Sequence, residues 1–184
     1  MFRRQDAATI LVFGCVGRML VAENPSHENV TLKEKMNPEI RLKLQKYDEL
    51  GSYEFPRDFN YFELEVMAKK VDAAIRETGL KTTFEGAVYN QDASFSIAII
   101  LDDYKVVSNN VFHLPTIRFS NFGFLTSLTG KEMIPIEKQG AIVKILLESG
   151  FDYIPDNELD SPYDGVMEDK KTFSTWWIRY FDWL

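Results

Sequence analysis

Cysteine and histidine are nearly missing from this chain of 184 residues. It holds one cysteine, Cys15, and two histidines, His27 and His113. One thiol permits no internal disulfide, which fits a reducing cytoplasm. The three residues are scattered, so no pair has the spacing of a zinc site. The phosphate-binding loop, the G-x-G-x-x-G fingerprint and the G-x-S-x-G elbow are all absent. Positive charge is scarce too: the formal net charge is −7 and the sequence pI about 4.9. That argues against general nucleic-acid binding, which needs a basic footprint, and against docking on anionic lipid. No apolar run is long enough to span a bilayer. Met1-Phe-Arg-Arg opens as a signal peptide does, and Leu11-Val-Phe-Gly-Cys15 loosely resembles a lipoprotein cleavage box. Asp6 interrupts the basic start, however, and Arg18 follows the apolar run at once. The expectation is a buried helix over 7–22, capped by Asp6, in a cytoplasmic protein, with export as the alternative reading.

The most informative absence is local. From Ile145 to Asp169 there is no Lys or Arg, while Glu148, Asp152, Asp156, Glu158, Asp160, Asp164, Glu168 and Asp169 give −8. The rest of the chain therefore carries +1. Directly after it comes the most aromatic segment, Phe173-Ser-Thr-Trp-Trp-Ile-Arg-Tyr-Phe-Asp-Trp-Leu184. Concentrated negative charge steers a basic partner, and aromatic residues anchor one once docked. The residues expected at such a surface are Asp152, Asp156, Glu158, Asp160, Tyr163, Asp164, Glu168 and Asp169. Arg179 and Trp183 join them, since they lie off the main aromatic stripe of the terminal segment. A charged loop is also often merely solvated, and that reading stands beside the first.

Periodicity gives the fold class. Asn37-Pro38-Glu39 is a cap with proline at the first helical position, and Ile40, Leu44 and Tyr47 follow at helical spacing, with Gly51 as the stop. Ile40, Leu42 and Leu44 also alternate as a strand would. Asp58 is the expected cap of a helix over 59–78, with Leu64, Ala68, Val71 and Ile75 as its stripe and Gly79 as its stop. Residues 82–89 and 95–101 read as a β-hairpin around Asn90-Gln-Asp92, with Asp102-Asp103 as the next turn and 104–107 pairing back. Val111 to Phe124 is β-prone, broken by Pro115 and Gly123. Pro135 and Glu137 introduce a helix to Ser149 that buries Ile142, Ile145 and Leu146, with Gly150 as its stop. Residues 151–154 are a short strand, and 156–169 are mostly loop with a turn over 161–165. Phe173, Trp176, Trp177, Tyr180, Phe181 and Leu184 form one apolar face of a terminal helix. Helices flanking one mainly antiparallel β-sheet, in a single domain, make the class α+β.

No residue set suggests catalysis. Asp156, Glu158 and Asp160 have the spacing of a calcium-loop start, but Ser161 stands where glycine is needed and Met167 where the bidentate acid belongs. Cys15 reads as an inert core thiol and His113 as a structural residue in a strand. No cofactor, metal or enzymatic activity is expected.

Three stretches carry a resemblance: Val12-Phe-Gly-Cys-Val-Gly-Arg-Met-Leu-Val-Ala-Glu-Asn-Pro25, Tyr153-Ile-Pro-Asp-Asn-Glu-Leu-Asp-Ser-Pro-Tyr-Asp-Gly165, and Trp176-Trp-Ile-Arg-Tyr-Phe-Asp-Trp-Leu184. The chain resembles bacterial immunity proteins, the cytoplasmic antidotes of contact-dependent inhibition and related polymorphic-toxin systems. They share no single fold or motif, so no residue role is carried over by position, and this chain is longer than many of them. The resemblance implies binding to one cognate toxin domain. Many such toxins are nucleases with basic channels, which an acidic surface complements. Two rival readings stand beside it: an enzyme whose site is assembled from scattered residues, and a structural subunit docking through its terminal aromatic helix.

Overall fold

A computed structural model of the chain describes residues 36–48, 59–86, 95–108, 111–168 and 172–181. The expected helix over 7–22, Cys15, His27, Gly51, Asp58, the Asn90–Asp92 connection, Asp169 and Trp183 lie outside them.

Helix α1 spans Pro38–Tyr47, and the Asn37 side chain accepts from the Glu39 amide at 2.9 Å. Leu42 is 68% exposed between half-buried Ile40 and fully buried Leu44. That pattern is helical, and it settles the strand alternative. The helix ends at Tyr47, earlier than Gly51, because Asp48 turns extended and commits its carboxylate elsewhere. Helix α2 spans Tyr61–Glu77 and buries the expected stripe of Leu64, Ala68, Val71 and Ile75. Its cap is Asn60, which accepts from the Glu63 amide at 3.2 Å; Asp58 lies two residues too early for that bond. Gly79 has a positive φ and closes the helix with a bond from its amide to the Arg76 carbonyl.

Strands β1 (Thr82–Glu85) and β2 (Phe95–Leu101) pair antiparallel. A 3-10 turn at Asp102–Tyr104 then leads the chain off the sheet. Consequently β3 (Val106–Ser108) does not pair back on β2. It pairs with β4 (Val111–His113) in a separate ribbon. The other edge of β2 is taken by β5 (Thr116–Ser120), which pairs in turn with β6 (Leu125–Thr129). Strand β6 was not anticipated, since Leu-Thr-Ser-Leu-Thr shows little apolar alternation. Helix α3 (Ile136–Glu148) then leads to β7 (Asp152–Tyr153), the one parallel neighbour, giving the order β1-β2-β5-β6-β7. Ile142 and Leu146 of α3 are buried, whereas Ile145 is only partly so. A mainly antiparallel sheet with helices against it is the expected α+β class.

Two apolar clusters hold this arrangement. In the first, Ile97, Ile99 and Leu101 of β2 and Ile117 and Phe119 of β5 pack with the α2 stripe and with Ile142 and Leu146. Each such fully buried aliphatic side chain contributes roughly 1.5–3 kcal/mol. The second cluster joins Leu44 of α1, Phe122, Leu125 and Ile154 to Leu159, Tyr163, Met167, Phe173, Trp176, Tyr180 and Phe181. Here the terminal helix departs from expectation. Helix α5 spans only Trp176–Tyr180, with Thr175 as its cap. Residues 174–175 are drawn into extended pairing with the acidic turn instead: Tyr163 donates its amide to the Ser174 carbonyl, and Trp176 donates its amide to the Ser161 carbonyl, both at 3.2 Å. Phe173 precedes the helix yet is buried all the same.

Candidate partner-binding surface

The acidic stretch has a regular construction. After a single helical turn, α4 (Asp156–Leu159), the chain buries Leu159, Tyr163 and Met167, and each is followed by an exposed acid: Asp160, Asp164 and Glu168. Every fourth residue is thus an anchor, and the next is a charge in solvent. Such a segment is fastened from below, unlike a loop that is only solvated.

The fastening is a buried polar lattice. Asp48, at the end of α1, accepts from Arg179 Nε at 2.9 Å, from the Tyr163 hydroxyl at 2.6 Å and from the Val166 amide at 2.8 Å. The Tyr163 oxygen accepts in turn from the Met167 amide at 2.9 Å. The Arg179 guanidinium is enclosed between aromatic faces, 4.2 Å from the Phe122 ring centre and 5.1 Å from that of Phe173. Such stacking suits a weakly hydrated planar cation. Trp176 sits edge-on to Tyr163 at 4.7 Å and stacks on Tyr180 at 5.7 Å, and the Tyr180 hydroxyl donates to the Leu44 carbonyl at 2.6 Å. Backbone approach is so close at Gly165 that a Cβ there would overlap both Asp48 Oδ2 and the Tyr163 ring. Only glycine fits.

Burial corrects two of the residues expected at the surface. Tyr163 is 5% exposed and Arg179 2%, so neither meets a partner. Arg179 lies off the aromatic stripe in the helical projection, yet that side of α5 faces Asp48 and Phe122 because the acidic turn and α1 cover it. Trp176 is fully buried and Trp177 half-buried, stacked on Phe181 at 5.3 Å. A docking face built from that tryptophan pair would have to be taken out of the core.

The remaining acids are less negative in space than in sequence, because cations from outside the stretch meet them. Lys43 lies 3.3 Å from Asp152, Lys131 lies 2.6 Å from Asp156, Arg41 pairs with Asp164, and Lys144 lies 3.7 Å from Glu148. Asp152 also accepts from the Tyr47 hydroxyl at 3.0 Å, and Glu158 accepts from the Asn37 amide at 2.9 Å. Pairs this exposed contribute little to stability, about 0–1 kcal/mol each. Their effect is on the field, which they moderate locally; Asp160, Asp164 and Glu168 stay exposed along one edge, Asp164 sharing its charge with Arg41. Val166, 51% exposed, sits in the middle of that edge as an apolar contact point.

Asp48, Arg41, Lys43 and Lys131 are the parts that sequence reasoning did not single out. One signal was available for Asp48. An acid at the C-terminal end of a helix opposes the helix dipole, so it calls for a compensating cation elsewhere in the fold. Among the described residues, no group of three or more His, Cys, Asp or Glu side chains could hold a metal ion, and no helix is long and apolar enough to cross a membrane. His113 is exposed on the β4 ribbon, opposite Val106.

Three phenols in this region have raised titrations, that of Tyr47 through burial and then its hydrogen bond to Asp152. Burial, followed by the hydrogen bond to Asp48, pushes Tyr163 up to about 12. Burial, followed by the charge of Asp156, pushes Tyr153 up to about 12. A raised folded-state value means that the neutral phenol is favoured by folding. The resulting stability is complete below the unfolded value of about 10 and is lost as pH rises through about 12. Tryptophan emission should therefore report opening of the second cluster between about pH 10 and 12, with a flatter profile in Tyr163→Phe. Identical profiles for the two proteins would show that the Tyr163 phenol does not drive the transition. No family model, curated protein or solved structure matches this chain.

Proposed function

We propose that this protein is a cytoplasmic immunity protein that binds and neutralises one cognate toxin domain, a nuclease with a basic channel, and has no catalytic activity of its own. The observation that carries the reading is the acidic turn itself: Asp160, Asp164 and Glu168 stand exposed on a segment whose alternate anchors are buried. Charges held on a rigid support lose little entropy when a partner docks, which favours binding over mere solvation. The resemblance of three segments to bacterial immunity proteins supplies the kind of partner. Val166 supplies an apolar centre within the polar edge, as interfaces require.

Reversal of Asp160, Asp164 and Glu168 to Lys tests it, because none of the three side chains is buried and the fold should survive. The binding partner to use is the product of the gene immediately upstream, co-expressed and co-purified with this chain. Electrostatic steering raises association rates by about 10–1,000-fold, so the triple variant should associate at least about tenfold more slowly at low salt. The salt dependence of the rate should flatten as well. Cells producing the wild-type chain should survive the toxin, and cells producing the variant should not. An unchanged association rate would mean that the acidic turn is not the contact surface. Survival without any physical complex would rule out neutralisation by binding, since a stoichiometric antidote acts only while bound.

A further inference from the structure

We propose that Asp48 is a latch whose release lets the acidic turn, α5 and the end of α1 open as one unit while the sheet and its two long helices stay folded. The two apolar clusters have no buried residue in common. In the second, two chain segments converge on the carboxylate that ends α1: Arg179 of α5 binds Oδ1, while the Tyr163 hydroxyl and the Val166 amide of the acidic turn bind Oδ2. The ion pair is fully enclosed, with side chains 0% and 1% exposed. A buried pair of this kind stabilises no better than apolar side chains of the same volume would. It differs from them in cooperativity: losing the one acceptor unmakes three bonds together, so intermediate degrees of opening are disfavoured. Local opening of such a unit is the ordinary behaviour of a fold with more than one cooperative region. The acidic edge then exists as a shaped surface only while the latch is closed, a consequence that rests on the proposed function; the latch itself does not.

Hydrogen exchange of the full chain, read by mass spectrometry at constant pH, tests the latch without any partner. Asp48→Asn puts an amide NH2 against at least one of the donors that Asp48 now receives, and it removes the charge facing Arg179. Exchange over residues 160–168 and 173–181 should rise by about 100-fold or more, while β2, β5 and α2 keep their wild-type rates. Tyr163→Phe keeps the ring packing and removes one bond to the carboxylate. It should accelerate exchange of the same segments by about tenfold, and it carries the test if the asparagine variant does not fold. Equal acceleration across turn and sheet would overturn the proposal, because Asp48 would then support the fold as a whole. Unchanged exchange of the turn in both variants would also overturn it.

Discussion

Trp176→Ala is expected to destabilise the second cluster by about 3–5 kcal/mol, the usual cost of truncating a large buried aromatic side chain. Trp176 is fully buried and bridges two other rings: Tyr163 edge-on at 4.7 Å and Tyr180 stacked at 5.7 Å. Its removal would leave a cavity between the acidic turn and α5, lined by side chains whose backbones are tied on three sides and collapse poorly. Trp177, one residue on, is only half-buried and leans on Phe181 and Arg118, so Trp177→Ala should cost distinctly less. Trp176 and Trp177 both pack in this cluster, so tryptophan emission during urea unfolding reports on it. Equal midpoint shifts for the two alanine variants would contradict the packing described above.

Arg179→Met should be comparably severe, at about 3–5 kcal/mol, because it strands the Asp48 carboxylate in the interior with no cation. Methionine replaces much of the apolar stem, so lost packing is a minor part of that cost. The informative comparison is the double variant Asp48→Leu/Arg179→Met. Removing both charges abolishes the stranded carboxylate, so the double variant should be more stable than the sum of the single effects implies. Recovery should stop short of wild type. The Tyr163 hydroxyl and the Val166 amide lose their acceptor in the double variant, and the unsatisfied buried hydroxyl costs about 1–3 kcal/mol. Strict additivity of the two single substitutions in a denaturant cycle would show that Asp48 and Arg179 do not act on each other.

Local chemistry determined the elements that depend on neighbours within one or two turns. The α2 stripe of Leu64, Ala68, Val71 and Ile75, the Asn37-Pro38 start of α1, the glycine stops at 79 and 150, and the β1–β2 pairing all follow from spacing and caps that span a few residues. So does the α+β class, and so does the anomaly of 25 residues without a Lys or Arg. Only the tertiary structure decided what that anomaly amounts to. Asp48 meets Tyr163 across 115 positions and Arg179 across 131, and Glu158 meets the Asn37 amide across 121. Charge counted along the chain cannot register a cation delivered by another segment, so Arg41, Lys43 and Lys131 were invisible to it. Helical projection likewise cannot say which side of a helix is covered. It set Arg179 off the apolar stripe, whereas the acidic turn and α1 enclose that side of α5. The short span of α5 has the same origin: the bonds between 161–163 and 174–176 hold the backbone extended where the aromatic periodicity alone would continue a helix. Helix propensity amounts to tenths of a kcal/mol per residue, and paired backbone flanked by the buried Tyr163, Phe173 and Trp176 side chains outweighs it.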